Sequence, residues 1–340
     1  MKASEFDYEL PQELIAQEPI EPRDASRLMV IHRDSGLIES GRIFREIVGY
    51  LEPGDCLVAN KTRVIPARIR GTKEATGGKV EVLLLERKDT NRWEALVKPA
   101  KRLPAGSRVN FGGTLTAIVS EAGTAGKRVL DFDYEGDFEE LLRDAGEMPL
   151  PPYIRKPLKD PERYQTVYGA EEGSVAAPTA GLHFTEGLLE KIASLGARIA
   201  YLTLDVGLDT FRPIAEEEIE KHAMHSERYS VPDETARMVN DAKRRGDRII
   251  AIGTTTARAL ESAAYGEYLM PREGRTDLFI YPGYEFKMVD ALLTNFHLPR
   301  STPLVMVAAF AGLELTMRAY RQAIRERYRF YSFGDAMLII

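Results

Sequence analysis

Cysteine is almost missing: Cys56 stands alone in 340 residues, which rules out an internal disulfide and a cysteine-built zinc site and leads us to expect a reducing compartment. Long hydrophobic runs are missing too. The longest, Leu304 to Leu313, falls well short of the ~20 residues that a bilayer crossing needs. The opening MKASEFDYEL carries no apolar signal-peptide core, so a cytoplasmic location and no membrane partner are expected. GxGxxG, GxxxxGK, GxSxG, HExxH and CxxC are all absent, which argues against a Rossmann dehydrogenase, a P-loop NTPase, an esterase and a zincin. Net positive charge is lacking as well. A formal charge of -6 argues against coating nucleic acid by bulk charge, although a local basic face remains compatible with it.

What is present is enough apolar residue, 44%, to bury a large core, and a length that favours two domains. Three stretches concentrate positive charge. Lys61 to Lys73 holds no acid, Arg92 to Arg108 holds only Glu94, and Arg318 to Arg329 holds only Glu326. Each could be a solvated face, but three in an acidic chain suggest an anionic macromolecular partner.

The texture changes twice along the chain. Arg27 to His32 and Cys56 to Ala59 read as strands, with a short helix over Gly41 to Tyr50 between them. From Ala67 to Tyr134, short β-rich runs such as KVEVLLLE and RWEALVKP follow one another with glycine-rich turns, the pattern of a small antiparallel barrel or sandwich. A helix over Asp137 to Asp144 ends this segment. Helix and strand then alternate to the terminal strand Ala336 to Ile340. The expected fold is therefore α/β: a main domain, residues 1–66 and 147–340, whose mixed sheet is flanked by helices, with a small antiparallel β-barrel inserted as 67–146.

Polar residues cluster where strands end and helices begin, which is where ligands sit in open α/β sheets. Asn60 and Arg63 follow one strand. Thr179, Gly181 and His183 lie in a small-residue loop capped by Thr185. Gly253 leads into Thr254, Thr255, Thr256 and Arg258. Leu278 to Tyr281 reads as a buried strand, and Ala291 to Phe296 as another that delivers Asn295, His297 and Arg300. A plain structural account also fits, with Ser301 capping a helix and His297 satisfying a carbonyl. His222 and His225, with Glu227 beside them, resemble a metal pair that lacks its further ligands, so no metal is expected. Tyr153 and Arg155 interleave an aromatic ring with positive charge after a proline-rich connector, which suits base stacking with phosphate contact or a packed hinge.

The runs KTRVIPARIRG, GEMPLPPYI, AAPTAGLHFT, MHSERY, IAIGTTTARALES, LLTNFHLPRS and YRFYSFGDAMLI resemble the S-adenosylmethionine:tRNA ribosyltransferase-isomerases of queuosine biosynthesis, and the likeness spans essentially the whole chain. The resemblance implies a cytosolic, monomeric transferase. It would use S-adenosylmethionine as ribosyl donor, with no metal, and would act on a tRNA carrying 7-aminomethyl-7-deazaguanine at the wobble position. The products would be epoxyqueuosine-tRNA, adenine and methionine. Carried onto these motifs, His183, His225, Glu227 and His297 become acid/base candidates; Thr179, Gly181, Thr254, Thr255, Thr256, Arg258 and Asn295 would bind the donor; and Asn60, Arg63, Tyr153, Arg155 and Arg300 would face the tRNA. One stretch departs from the pattern. Where members read THVGxGTF, this chain reads TLDVGLDTF, so Asp205, also a catalytic candidate, replaces a histidine and Asp209 a glycine.

Overall fold

Cys56–Asn60, Ile249–Ile252 and Ala291–Asn295 are apolar along nearly their whole length, and a strand without a polar face belongs where both faces are covered. In the computed structural model of the chain, which describes residues 1–207, 210 and 212–340, these three strands form the centre of a mixed sheet. Its strands are β1 (Arg27–Ile31), β2 (Ile38–Ile43), β3 (Cys56–Asn60), β4 (Arg198–Leu204), β5 (Glu227–Val231), β6 (Ile249–Ile252), β7 (Arg272–Thr276), β8 (Ala291–Asn295) and β9 (Ala336–Ile339). They lie in the order β7-β5-β4-β3-β6-β8-β9-β1-β2. The run from β4 to β8 is parallel, so four carboxyl ends leave the sheet on one edge.

Five helices accompany this sheet, α1 (Glu186–Ser194), α2 (Asp233–Arg245), α3 (Thr254–Ala263), α4 (Thr302–Ala311) and α5 (Leu313–Arg325), and a further helix, Phe138–Ala145, follows the barrel strands. The Thr185 hydroxyl caps α1 and the Ser301 hydroxyl caps α4. Leu188 and Ile192 of α1 pack with Phe44, Ile47 and Phe184 against Leu57, Ile250 and Leu293 on one face of the sheet.

The chain divides into two compact units. One comprises Met1–Arg63, Pro152–Glu171 and Ala177–Ile340, and the other Val64–Pro151 with the short return Glu172–Ala176. The boundaries thus fall a few residues from 66/67 and 146/147. The cause is local: Ile65 N donates to Ser174 O, and Ala67 O accepts from Leu84 N. The second unit is a closed antiparallel barrel. Arg68–Lys73, Lys79–Asp89, Arg92–Lys98, Lys127–Asp133, Thr116–Ala122 and Arg108–Asn110 pair in that order, and Thr72↔Asn110 closes the ring. Gly71 sits at this seam, where an added Cβ would lie 2.4 Å from the Asn110 carbonyl oxygen.

Some expectations need correction. Leu278 to Tyr281 joins no ladder. Gly41 to Ile43 belongs to β2, and only Phe44–Tyr50 turns, as a 3-10 helix. The strands β5 and β7 at one end of the sheet were not expected, because REGRT holds no apolar residue and ERYSV only Tyr229 and Val231. Asp209 lies outside the described residues.

Candidate active site

The parallel strands deliver Val206, Gly253 and Asn295 to the sheet's carboxyl edge, where a chamber of about 620 Å³, partly open to solvent, is bounded by them together with Tyr153, His297 and Tyr331. Among the described residues its lining carries no carboxylate, ammonium or guanidinium. A second chamber of about 360 Å³ shares Thr210, Thr254, Thr255 and Pro303 with the first, and is lined further by Glu227, Arg258, Phe279 and Met306.

Asn295 organises the wall of the first chamber. Its Oδ1 accepts from the Thr179 hydroxyl at 3.1 Å, and its Nδ2 donates to His183 Nε2 at 3.1 Å and to the Tyr331 carbonyl at 3.3 Å. Because Nε2 of His183 accepts, Nδ1 carries the proton and donates to Ser26 Oγ at 2.7 Å. His183 is 4% exposed, and burial, reinforced by Arg329, Arg163 and Arg23, pushes its imidazole down to about 3. It stands behind the chamber wall with both ring nitrogens occupied. Its place sets it apart from the acid/base candidates that reach a chamber.

His297 does line the chamber. Its backbone N–H donates to the Tyr320 hydroxyl at 3.0 Å, that hydroxyl lies 3.4 Å from Nδ1, and Tyr8 donates to its carbonyl. With Nδ1 accepting from Tyr320, the proton resides on Nε2, 3.2 Å from Thr294 Oγ1. Burial pushes the His297 imidazole down to about 3, so the ring is neutral, and its Nε2–H is engaged by Thr294 Oγ1, itself on the chamber wall.

At the second chamber Glu227 accepts from Arg258 at 2.7 Å through Oε2, and from Gly207 N at 2.8 Å and His225 Nε2 at 2.9 Å through Oε1. Arg258 also donates to the carbonyls of His225 at 2.7 Å and Thr276 at 2.8 Å, joining α3 to β5 and β7. His222 turns instead to Glu216 at 2.9 Å, so the two histidines do not converge.

Other candidates are placed differently from expectation. Asn60 is fully buried, donating to Leu204 O and accepting from Thr62 N and Leu204 N, so it bonds strand ends together and faces no external ligand. Thr256 is also buried, and its hydroxyl returns to Ile252 O at 2.7 Å. At Gly181 an added Cβ would lie 2.1 Å from Tyr168 Oη, so the glycine there serves packing. Asp205 N pairs with Arg228 O, and Asp205 lines neither chamber. Arg63 pairs with Glu162 at 2.5 Å. Arg155 is exposed, and Arg300 holds a left-handed backbone, φ 55°, beside the mouth residues Leu298 and Ser301.

The sequence profile described as queuosine biosynthesis protein matches residues 3–339. The chain belongs to this family. Relatives named S-adenosylmethionine:tRNA ribosyltransferase-isomerase, from Symbiobacterium thermophilum and Caldanaerobacter subterraneus, are 58% and 57% identical to it, each covered over 100% of both chains. A crystal structure of S-adenosylmethionine tRNA ribosyltransferase from Thermotoga maritima is 45% identical, with a TM-score of 0.56 over 99% of this chain and 100% of that one. Sequence reasoning about this queuosine family member missed Ser26, Thr210, Tyr331 and Ser332. Tyr331 and Ser332 lie inside the quoted run YRFYSFGDAMLI, so the signal for them was an aromatic-rich motif close before the last strand.

Proposed function

We infer that this chain is an S-adenosylmethionine:tRNA ribosyltransferase-isomerase of queuosine biosynthesis. The observation that carries the reading is full-length identity above one half with relatives of that name. The donor's ribosyl group goes to 7-aminomethyl-7-deazaguanine at the tRNA wobble position, and adenine and methionine leave. The enzyme works as a cytoplasmic monomer, and the donor is consumed as a substrate.

The sulfonium acidifies the adjoining ribose 5′ methylene, so a base of ordinary strength can remove that proton. Glu227, bonded to Arg258, accepts from His225 Nε2 and so leaves Nδ1 as the imidazole nitrogen with a free lone pair. His225 is therefore our choice of base. As the ribose opens, negative charge gathers on the departing adenine, and the Nε2–H of His297, exchanging its bond to Thr294 Oγ1, supplies a neutral donor for it. Arg155 and Arg300, which have no carboxylate partner among the described residues, together with Tyr153 meet the tRNA.

Free adenine and methionine in equal amounts, formed only when precursor-bearing tRNA is present, is the expected result. Production of S-adenosylhomocysteine would mark a methyltransferase and overturn the reading.

A further inference from the structure

Tyr331 has φ 71°, a left-handed backbone that a bulky side chain rarely adopts. Three bonds hold it there: its N–H donates to Phe296 O at 3.0 Å, while its carbonyl accepts from Gly334 N at 2.9 Å and Asn295 Nδ2 at 3.3 Å. The result is an aromatic ring set on the chamber wall, 4.6 Å from the Tyr153 ring and tilted 53° to it. Only 6% of Tyr331 is exposed, and its hydroxyl, which is not among the fully buried unpartnered atoms, makes no hydrogen bond among the described residues. Burial pushes the phenol's pKa up, so the group is a neutral O–H donor at every working pH. Tyr153, by contrast, spends its hydroxyl on Ser332 Oγ at 2.7 Å.

The two chambers also differ in charge. The first carries none among the described residues, and its polar groups are hydroxyls, an amide and neutral His297. The second presents Glu227 and Arg258 with the soft walls of Met306 and Phe279. The donor has a matching asymmetry, with an uncharged planar purine at one end and a sulfonium plus amino-acid zwitterion at the other. Burying a charge in the first chamber would leave it unpaired, whereas a purine loses little there and gains the Tyr331 donor.

We propose that the uncharged chamber holds the purine of the ribosyl donor, with the Tyr331 hydroxyl donating to a ring nitrogen, and that the Glu227–Arg258 chamber takes the methionyl end. This rests on the proposed function for the identity of the donor. Tyr331 is thereby a ligand-contacting residue that the strained backbone exists to aim. The bond it makes forms as the purine arrives and persists as adenine departs.

Calorimetric titration of the full chain with adenosine, with methionine and with S-adenosylmethionine tests the assignment. Tyr331→Phe keeps the ring and backbone, and should weaken adenosine and S-adenosylmethionine by about tenfold, the loss of one neutral hydrogen bond, without changing methionine. Tyr331→Gly relieves the left-handed backbone, so it should fold while losing adenosine binding. Unchanged adenosine affinity in Tyr331→Phe, or a loss confined to methionine, overturns the proposal. A parent that binds adenosine through Tyr331 but yields no adenine with tRNA overturns the proposed reaction and leaves the purine chamber standing. A parent that binds neither adenosine nor S-adenosylmethionine overturns both.

Discussion

Asn295 and His183, 112 positions apart, meet through a 3.1 Å hydrogen bond from Nδ2 to Nε2, both side chains being almost wholly buried. The same amide holds Thr179 and the Tyr331 carbonyl, so one residue at the end of a core strand fixes three parts of the chamber wall. Asn295→Ala should therefore cost about 1–3 kcal/mol of stability, the penalty of leaving buried polar atoms unmatched, and should lower adenine release as well. Urea denaturation with a parallel turnover assay checks both.

Stability should fall in mild acid. His183 and His297 have folded pKa values near 3, below the ~6.5 of an unfolded imidazole, so between these values the unfolded chain binds protons that the folded chain refuses. Their contribution is intact above about pH 6.5 and is lost as pH drops towards 3, by about 1.4 kcal/mol per pH unit for a fully buried ring. His297 contributes less because it opens on the chamber. Comparing urea midpoints at pH 7 and pH 5 for the parent and His183→Asn should show a smaller acid loss in the variant.

Glu227 and Arg258 are each 4% exposed on their side chains and lie 2.7 Å apart. Arg258→Ala leaves the carboxylate buried without its cation and should cost about 3–5 kcal/mol. Arg258→Lys should recover only part of this, because one ammonium cannot reach Glu227, His225 O and Thr276 O together. Chemical denaturation of the two variants separates the outcomes. Equal stability for both and the parent would remove the pair from the account.

His297→Ala should reduce turnover by roughly 10²–10⁴ while tRNA affinity stays within twofold, since the imidazole faces the chamber and supplies a donor during bond breaking. Because the ring is neutral throughout, it should contribute no limb to the pH–rate curve between about pH 5 and 8. Single-turnover kinetics across that range supply the measurement.

Affinity for tRNA should weaken with salt, through one of the three basic stretches rather than all of them. Lys61, Arg63, Arg70 and Arg92 are each ion-paired with a carboxylate. Arg318, Arg321 and Arg325 share a groove along α5 and have no such partner among the described residues. Reversing all three to glutamate should lower the log–log salt slope by about one for each phosphate no longer neutralised, whereas Arg63→Glu should change it little. An unaltered slope in the triple variant would make that groove a solvated face.

Much of this was legible in the chain. The central strands announced themselves because Leu57, Ile250 and Leu293 belong to apolar runs bounded by glycine, proline or aspartate, and the barrel because its strands alternate buried and open positions. β5 and β7 did not, since REGRT carries no apolar residue and ERYSV opens on two charges. LFIY at 278–281 misled for the opposite reason. It is apolar through its contact with a chamber, and Thr276 Oγ1, not a neighbouring strand, accepts from Leu278 N. At the site, sequence located the loops but not their inward and outward sides. Nothing in TAGLH says that Thr179 lines the chamber while His183 stands behind its wall.

The close approach at Gly181 bears on how this protein can evolve. An alanine there needs room that Tyr168 Oη, at 2.1 Å, and Thr166 Cγ2, at 2.8 Å, both occupy. Both are side-chain atoms, so a change at 181 should be accompanied by changes at 168 or 166. Invariance at 181 among relatives would then record a steric interlock, and a search for donor-contacting positions based on conservation would count this glycine as a false positive.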